Sequence, residues 1–311
     1  MRSCWTTDNG GLQGRAGREQ LSGVYYLKDE NTSAMQDVGG SPVMANGAMP
    51  EISVVVPSFN QAVFLERTLR SILDQQYPNL ELIVIDGGSQ DKSVEVIRKY
   101  EQHISYWVSE PDGGQTLGLI KGFKRATGEI QCWLNSDDLF WGSCLFEVAE
   151  QFSKWPEVDA IYGDTIWIDE QDRHLRVHRE IGFSRFLWLY TYNYVPGMSL
   201  FWRKKIYDRV GGLDGKFNLS MDADLIIRFA EAGTFKHVRR TWSCCRFYPE
   251  QKMRRLQSAA VEEDQRIRHR YIGGEALWVT SIKKRVALAV RILWKAGTFC
   301  YGLRYKRRLE G

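Results

Sequence analysis

Short apolar segments alternate with segments of helical spacing between residues 51 and 134, and this alternation constrains the fold more than any other feature of the chain. The first apolar segment, residues 52–56, is β-branched and ends at Pro57, as expected of a strand that is buried on both faces. Further strands are predicted at residues 82–85, 103–108 and 130–134. The pattern predicts right-handed βαβ units and an α/β fold with a mostly parallel central sheet and flanking helices.

The intervening segments carry helix signals. Leu65, Leu69 and Ile72 recur at a helical spacing, and Asn60 is placed to cap the helix that contains them. Ser89 is placed in the same way before a second helix, and a third is predicted at about residues 116–126.

The second half of the chain is less regular. Strand-like segments at residues 160–167 and 173–179 precede an aromatic stretch, and a helix is predicted from Met221 to Gly233 with two strands after it. Residues 1–49 are rich in Gly, Ser, Asn and Gln, and are predicted to be a disordered extension or the product of an over-extended start. We expect a nucleotide-donor half at 50–138, an acceptor half at 139–252 and a helical basic tail at 253–311.

Cysteine usage and hydropathy indicate a cytoplasmic location. The six cysteines form no metal-ligand spacing and lie mostly in apolar surroundings, as reduced thiols do. Neither a signal peptide nor a run of about 18 uncharged apolar residues is found.

The net charge of +4 is a property of the C-terminus, because residues 276–309 contain nine Lys or Arg and no Asp or Glu. Without this segment the chain is mildly acidic, and no nucleic-acid partner is predicted. On a helical wheel Lys284, Arg291 and Lys295 share one face. This pattern predicts either attachment of residues 283–308 to the inner face of an anionic plasma membrane, or a helix packed on the domain with a solvated basic edge.

Polar and glycine-rich sets follow each of the first four predicted strands. These sets are residues 57–60, 86–91, 110–115 and 135–138. Ligands of an open α/β sheet bind beyond the carboxyl ends of its strands, so the four sets converge on one edge. Each set alone also reads as an ordinary turn or helix start. Together they fit a nucleotide diphosphate, with Phe59 over the base, Asp86 accepting from base or ribose, and hard oxygen ligands for Mg²⁺ or Mn²⁺.

In this order, residues 52–60, 82–91, 109–115, 128–138 and 221–228 resemble the family 2 inverting glycosyltransferases of the glycosyltransferase-A fold, in the subgroup with a Ser-Glu-Pro-Asp loop. The resemblance implies a nucleotide-sugar donor, a UDP-sugar by default, and a Mg²⁺ or Mn²⁺ cofactor. It places Asp137 as the main metal ligand and Asp138 beside the ion or the donor sugar. The donor-binding residues are then predicted to be Pro57, Phe59, Asn60, Asp86, Glu110, Asp112 and Lys121.

Four positions, in three segments, differ from the pattern of that family. Asn135 stands at the first acidic position of the metal motif. Leu117 and Ile120 replace a carboxylate and an amide, and Tyr248 replaces a histidine that reaches the metal or the diphosphate.

Inverting transfer needs a general base beneath the acceptor hydroxyl, and the helix from Met221 offers two carboxylates. Asp222 falls on the side of Leu225 and Ile226, which packs inward, whereas Asp224 falls on the opposite side. We therefore predict that Asp222 is the catalytic base and that Asp224 faces solvent and pairs with Arg228. Ser220 is predicted to cap this helix. The family pattern places the base at Asp222 as well.

The predicted function is transfer of a sugar, with inversion, to a saccharide or lipid-linked saccharide acceptor in the synthesis of a surface polysaccharide or glycolipid. A dinucleotide oxidoreductase is disfavoured because the turn after the first strand lacks Gly-x-Gly-x-x-Gly. The alternative is a binding or assembly subunit that has kept the scaffold without turnover.

Overall fold

The computed structural model describes residues 49–298, and the predicted extension at 1–49 lies almost wholly outside them. In this part of the chain nine strands form one sheet in the order β3-β2-β1-β4-β8-β6-β9-β5, with β7 paired to β6. The strands are β1 (Ile52–Ser58), β2 (Leu80–Asp86), β3 (Tyr106–Ser109), β4 (Ile130–Trp133), β5 (Leu139–Phe140), β6 (Ala160–Ile168), β7 (His174–His178), β8 (Leu200–Arg203) and β9 (Phe235–Arg246).

Ten α-helices accompany the sheet within residues 49–298. They are α1 (Ala62–Leu73), α2 (Ser93–Lys99), α3 (Gln115–Phe123), α4 (Cys144–Lys154), α5 (Arg185–Tyr190), α6 (Lys204–Arg209), α7 (Met221–Ala232), α8 (Lys252–Arg255), α9 (Gln257–Ile272) and α10 (Leu277–Gly297). Short 3₁₀ turns occupy Glu101–His103 and Gly197–Ser199.

The first four strands are parallel, as the alternating sequence predicts. β1 lies between β2 and β4 and is buried along its whole length, and β2 pairs with β3. The carboxyl ends of these strands therefore lie along one edge of the sheet. The third strand begins at Tyr106 rather than at His103, because Glu101–His103 forms a 3₁₀ turn.

The predicted caps of the first two helices have other partners. Helix α1 begins at Ala62, while Asn60 adopts a positive φ of 52° and its side-chain oxygen accepts from the backbone N–H of Gln90. The hydroxyl of Ser89 donates to Asp86, and α2 begins at Ser93. Both cap predictions are wrong, because these side chains join the two loops to each other at the edge of the sheet.

The second half extends the sheet with antiparallel pairs. β8 lies between β4 and β6 and is antiparallel to both, and β6 is parallel to β9. The two strands predicted after α7 are one continuous strand, β9, which shifts its register against β6 instead of breaking. The sheet is thus parallel over β1–β4 and mixed beyond them, and the predicted α/β class is confirmed.

Helix α9 packs against α7 and caps it from outside. The carboxylate of Glu263 accepts from the backbone N–H groups of Leu219 and Ser220 at 2.8 and 2.9 Å. Ser220 does occupy the N-cap position, but its hydroxyl donates to the carbonyl of Ala260 instead of capping α7. The capping acceptor thus comes from a residue more than 40 positions away.

The four cysteines within residues 49–298, namely Cys132, Cys144, Cys244 and Cys245, are free thiols, as predicted. Burial raises the pKa of each of them. Cys4 and Cys300 lie outside the described residues. Over the described part of the chain, no helix combines the length and the apolar character needed to cross a membrane.

Candidate functional site

A cavity of about 1530 Å³ opens at the carboxyl ends of the parallel strands, where the four polar sets were predicted to converge. Its walls include the predicted donor residues Pro57, Phe59, Asn60 and Asp112, the predicted metal ligands Asp137 and Asp138, and the predicted base Asp222. The cavity therefore brings together residues from the ends of β1 and β4 and from the start of α7. Asp86, Glu110 and Lys121 do not line it.

An exposed aromatic ring marks one wall of the cavity. The side chain of Phe59 follows β1 and is 59% exposed, although it lies beside the buried Pro57. The neighbouring hydroxyl of Ser58 is buried and has no hydrogen-bond partner among residues 49–298. The ring of Phe59 can stack on a base. The hydroxyl of Ser58 beside it can donate a hydrogen bond to a ligand oxygen.

Asp86 lies behind this wall and is fully buried at the end of β2. Its carboxylate accepts from the backbone N–H and the hydroxyl of Ser89 and from the hydroxyl of Ser109. These bonds fix the loops after β2 and β3. The predicted contact between Asp86 and the nucleotide stays a prediction.

The Asp112 carboxylate occupies a space that two glycines leave open. A Cβ atom at Gly118 would lie 2.5 Å from Asp112 Oδ2, and one at Gly87 would lie 3.2 Å from the same carboxylate. Asp112 Oδ1 accepts from the backbone N–H of Gly114 at 2.8 Å. The glycines at 87 and 118 therefore allow this carboxylate to stand at the cavity wall.

Glu110 and Lys121 form an ion pair with each other away from the cavity. The Glu110 side chain is 57% exposed, so the pair is a surface contact of small energy. The predicted donor contacts of these two residues remain predictions.

The two carboxylates after β4 have different surroundings. Asp138 is buried, and its oxygens accept from the backbone N–H of Arg246 and the side-chain amide of Asn135. Burial, and then the neighbouring charge of Asp137, raise the pKa of Asp138 to about 7. Asp137 is partly exposed, and one of its oxygens accepts from the phenol of Tyr248 at 2.8 Å. Burial also raises the pKa of Asp137 above its usual range.

The carboxylates at this position can coordinate a hard cation only if a bound molecule supplies further oxygen ligands. Among residues 49–298 no cluster of three or more His, Cys, Asp or Glu side chains is arranged to hold a metal. Mg²⁺ sites commonly use one or two carboxylates and take their remaining ligands from phosphates and water. Asp137, whose second oxygen has no hydrogen bond within the described residues, fits such a shared site.

Asn135 connects these carboxylates, through Gln115, to a partly buried lysine. Its amide nitrogen donates to Asp138 Oδ2, and its oxygen accepts from the amide of Gln115 at 2.8 Å. The oxygen of Gln115 accepts in turn from the ammonium of Lys252, which lines the cavity. A carboxylate at position 135 could not donate to Asp138, which accounts physically for asparagine at this position of the metal motif.

Asp222 lines the same cavity, at the first turn of α7. Burial raises its pKa to about 6, and the amide of Asn193 donates to its Oδ2 at 2.9 Å. A Cβ atom at Gly197 would lie 3.7 Å from Asp222 Oδ2, so the glycine leaves free space beside the carboxylate. The predicted position of Asp222 in the cleft is confirmed, and its catalytic role stays a prediction.

Asp224 does not face solvent, and that prediction is wrong. Its side chain is buried and pairs with Arg228 of the same helix and with Arg270 of α9 at 3.0 Å. The predicted pair with Arg228 is present. The face of α7 opposite the cleft is covered by α9, and the helical wheel of α7 alone contains no sign of this second layer.

Several polar residues of the site lie outside the predicted set. Lys252 donates to the backbone carbonyl and the side-chain oxygen of Asn218, and burial lowers its pKa. Arg246 is fully buried against the Asp137 backbone carbonyl and the Phe64 ring. The basic run at 252–255 after Pro249 was a usable signal for Lys252, whereas nothing in the sequence marks Asn193.

Comparison with known proteins agrees with this geometry. The sequence model described as Glycosyl transferase family 2 matches residues 53–212, about half of the chain. An uncharacterised glycosyltransferase of Mycobacterium tuberculosis is 33% identical over 183 residues, which cover 58% of this chain and 69% of that protein. The putative teichuronic acid biosynthesis glycosyltransferase TuaG of Bacillus subtilis is 34% identical over 94 residues, which cover 29% of this chain and 36% of TuaG.

Two solved structures share the fold. S. aureus TarS in complex with UDP-GlcNAc superposes with a TM-score of 0.54 at 18% identity, over 65% of this chain and 60% of that one. The mannosyltransferase PcManGT of Pyrobaculum calidifontis, in complex with GDP-Man and Mn²⁺, gives a TM-score of 0.51 at 18% identity, over 78% of this chain and 75% of that one. The predicted glycosyltransferase-A-type architecture is confirmed, and the matches in sequence and in fold show that the chain belongs to glycosyl transferase family 2.

Proposed function

We propose that the protein transfers a sugar from a nucleotide-sugar donor to an acceptor hydroxyl, with inversion at the anomeric carbon. The observation that carries this proposal is that Asp222, whose pKa is raised to about 6, lines the same cavity as Asp137. A base for the acceptor and a carboxylate for the diphosphate end of the donor thus share one cavity. We also propose that residues 50–138 form a donor half and residues 139–252 an acceptor half, since Asp137 lies in the first range and Asp222 in the second.

The donor occupies the cavity wall that β1, β2 and α3 form. The exposed ring of Phe59 stacks on the base, and the unpartnered hydroxyl of Ser58 and the carboxylate of Asp112 supply polar contacts beside it. Lys252 lines the cavity and provides a cation for the diphosphate. TarS and PcManGT were solved with UDP-GlcNAc and GDP-Man, and a UDP-sugar is the donor we propose here.

A Mg²⁺ or Mn²⁺ ion fits the donor set of Asp137 together with phosphate oxygens. When bound, such an ion neutralises negative charge on the diphosphate. Asp138 is proposed to support this site from behind, because its oxygens accept from Arg246 and Asn135 inside the protein.

Asp222 performs the acid–base part of the reaction. Its carboxylate removes the proton of the acceptor hydroxyl while the hydroxyl oxygen attacks the anomeric carbon. The bond from that carbon to the diphosphate oxygen breaks in the same displacement, and the nucleoside diphosphate leaves with the electron pair. Because attack and departure occur on opposite faces, the configuration inverts. The hydrogen bond from Asn193 holds Asp222 in one orientation, and Gly197 leaves room for the acceptor beside it.

The acceptor we propose is a saccharide or a lipid-linked saccharide of a surface polysaccharide or glycolipid. This choice rests on the relative TuaG, whose name places it in teichuronic acid biosynthesis.

One observation favours a second candidate, a binding subunit without turnover. The phenol of Tyr248 already donates to Asp137, which is the carboxylate proposed to hold the metal. If the phenol keeps an ion out, the chain binds a nucleotide-sugar without activating it.

A screen of nucleotide-sugars separates the two candidates. Purified full-length protein is incubated with UDP- and GDP-sugars, with Mn²⁺ or with a chelator, and released nucleoside diphosphate is measured. The proposal predicts Mn²⁺-dependent release from at least one donor, faster when an acceptor saccharide is added. Donor binding by calorimetry without release from any donor would support the binding subunit.

A further inference from the structure

The C-terminal helix α10 is attached to the domain by its charged residues. Arg291 and Lys295 are buried and donate to the two oxygens of Glu180, at 2.8 and 2.9 Å. The guanidinium of Arg291 also lies over the rings of Tyr192 and Tyr194. The prediction that Arg291 and Lys295 form a basic outer face of this helix is therefore wrong.

The outer face of α10 is apolar instead. At about 100° per residue, Trp278, Ile282, Ala289 and Leu293 fall within about 60° of one another, on the side opposite Arg291. Trp278 is 69% exposed and Leu293 is 71% exposed. Adjacent exposed apolar side chains widen this stripe, namely Leu277, Val286, Leu288 and Ile292. This arrangement reverses the usual one, in which the apolar stripe of a surface helix faces the core.

Cations accompany the apolar stripe. Arg285 is exposed beside the stripe and has no acidic partner among residues 49–298, whereas Lys284 is exposed on the side of Arg291. In sequence, the helix is followed by Arg304, Lys306, Arg307 and Arg308, and residues 276–309 contain no acidic residue. An apolar stripe bordered by uncompensated cations matches the chemistry of an anionic lipid surface.

We propose that α10 lies in the plane of an anionic bilayer, with Trp278, Ile282 and Leu293 inserted at the boundary between headgroups and acyl chains. The helix lies on the bilayer rather than spanning it, since its 21 residues include five Lys or Arg. A second copy of the chain fits the stripe less well, because pairing two such helices brings their cations together without an acidic partner on either one. The buried pairs with Glu180 fix the orientation of the stripe relative to the domain.

The test is co-sedimentation of the full-length protein with vesicles of phosphatidylglycerol and phosphatidylcholine in equal parts, and with vesicles of phosphatidylcholine alone. We expect binding to the mixed vesicles that weakens as salt is added. The double variant Ile282→Gln/Leu293→Gln should lower the partition coefficient by about tenfold or more. Arg285→Gln should reduce binding to the mixed vesicles and leave the weaker binding to phosphatidylcholine unchanged.

Val261→Gln is the matched control, because Val261 is also half exposed but lies on α9. It should bind vesicles like the wild type, and the melting temperatures of all variants should agree because every change is at the surface. Equal vesicle binding by Ile282→Gln/Leu293→Gln and the wild type would overturn the proposal. The proposal would also be overturned if the wild type did not bind vesicles but formed a dimer, and if Ile282→Gln/Leu293→Gln were a monomer. Donor binding measured in solution does not depend on this surface, so failure here leaves the proposed sugar transfer untouched.

Discussion

The phenol of Tyr248 donates a hydrogen bond of 2.8 Å to Asp137 Oδ2 and accepts one of 3.1 Å from the amide of Gln61. Tyr248 follows β9 and Asp137 follows β4, so the contact joins the segment after β9 to the loop that is proposed to hold a metal. Burial raises the pKa of Tyr248 above its usual range, so the phenol stays protonated and acts as a donor. The bond occupies one carboxylate oxygen and leaves the other free.

Removing this phenol tests whether it supports or obstructs the ion. Hydrogen bonds that orient a ligating carboxylate are typically worth about 10–100-fold in metal affinity. We therefore expect Tyr248→Phe to weaken Mn²⁺-dependent UDP binding by about tenfold in calorimetry. Tyr100→Phe is the control, because the Tyr100 phenol donates to Glu66, away from the cavity. Tighter Mn²⁺-dependent binding in Tyr248→Phe would show that the phenol competes with the ion.

The amide of Asn135 is expected to stabilise the fold, because it donates a hydrogen bond to one of two neighbouring carboxyl groups, Asp137 and Asp138. Asn135→Asp removes a donor to Asp138 and adds a third carboxylate. The pKa of Asp138, already raised to about 7, should rise further. A carboxyl whose folded pKa exceeds its unfolded value contributes stability at low pH that is lost as the pH rises through the folded pKa.

The loss of stability in Asn135→Asp should therefore be larger at pH 8 than at pH 5, and about 1–3 kcal/mol at the higher pH. Urea unfolding at both pH values measures it. Asn79→Asp serves as the control, since the Asn79 amide donates to the Met49 carbonyl at the surface. An equal loss at pH 5 and pH 8 would contradict the explanation by charge.

Asp224 is expected to matter for stability, contrary to the reading of the α7 sequence alone. Asp224→Asn leaves Arg228 beside a neutral group and weakens the link to Arg270 of α9. Breaking a buried ion pair on one side costs about 3–5 kcal/mol, and partial exposure of the two arginines reduces this to about 2–3. Urea unfolding should show the loss, whereas Glu231→Gln, which breaks a surface pair with Arg185, should cost under about 1 kcal/mol.

The local pattern of the chain predicts the parallel half of the fold well. Runs that are apolar at every position become strands such as β1, because such a run can be buried only between two layers. The start of α7 at Met221 and the inward direction of Asp222 also follow from the spacing of Leu225 and Ile226. In these cases the information lies within about ten residues.

The failures share a physical origin in long-range polar contacts. Helical spacing shows which face of a helix is apolar, but it does not show whether another element covers the polar face. The covering of Asp224 by Arg270, and of Arg291 by Glu180, depends on residues 46 and 111 positions away. The capping of α7 by Glu263 is of the same kind. The partners of these buried charged groups lie far away in the sequence, so local patterns do not predict them.

The pH dependence of transfer should report the carboxyl group of Asp222. Its pKa is raised to about 6 by burial, and only the ionised form accepts a proton. We expect kcat to have a midpoint near pH 6, to fall further at lower pH, and to approach its plateau about one pH unit above the midpoint. Initial rates at saturating donor and acceptor over this range test the expectation. A midpoint near the ordinary carboxyl pKa of about 4 would argue against Asp222 as the group observed.

Replacing the base is the most direct test of the proposed reaction. Asp222→Asn keeps the shape of the side chain but cannot accept the proton, so transfer should fall by about 10²–10⁴-fold while the Kd for the donor stays the same. Because burial raises the pKa of Asp222, the ionised form of this side chain destabilises the fold above about pH 6. The Asp222→Asn variant should therefore melt at least about 2 °C higher than the wild type at pH 8. Asp208→Asn, which breaks only a surface pair with Lys204, should change neither rate nor melting temperature. Loss of activity accompanied by a lower melting temperature would indicate damage to the fold rather than removal of a base. A variant that transfers sugar at the wild-type rate would place the base elsewhere in the cavity.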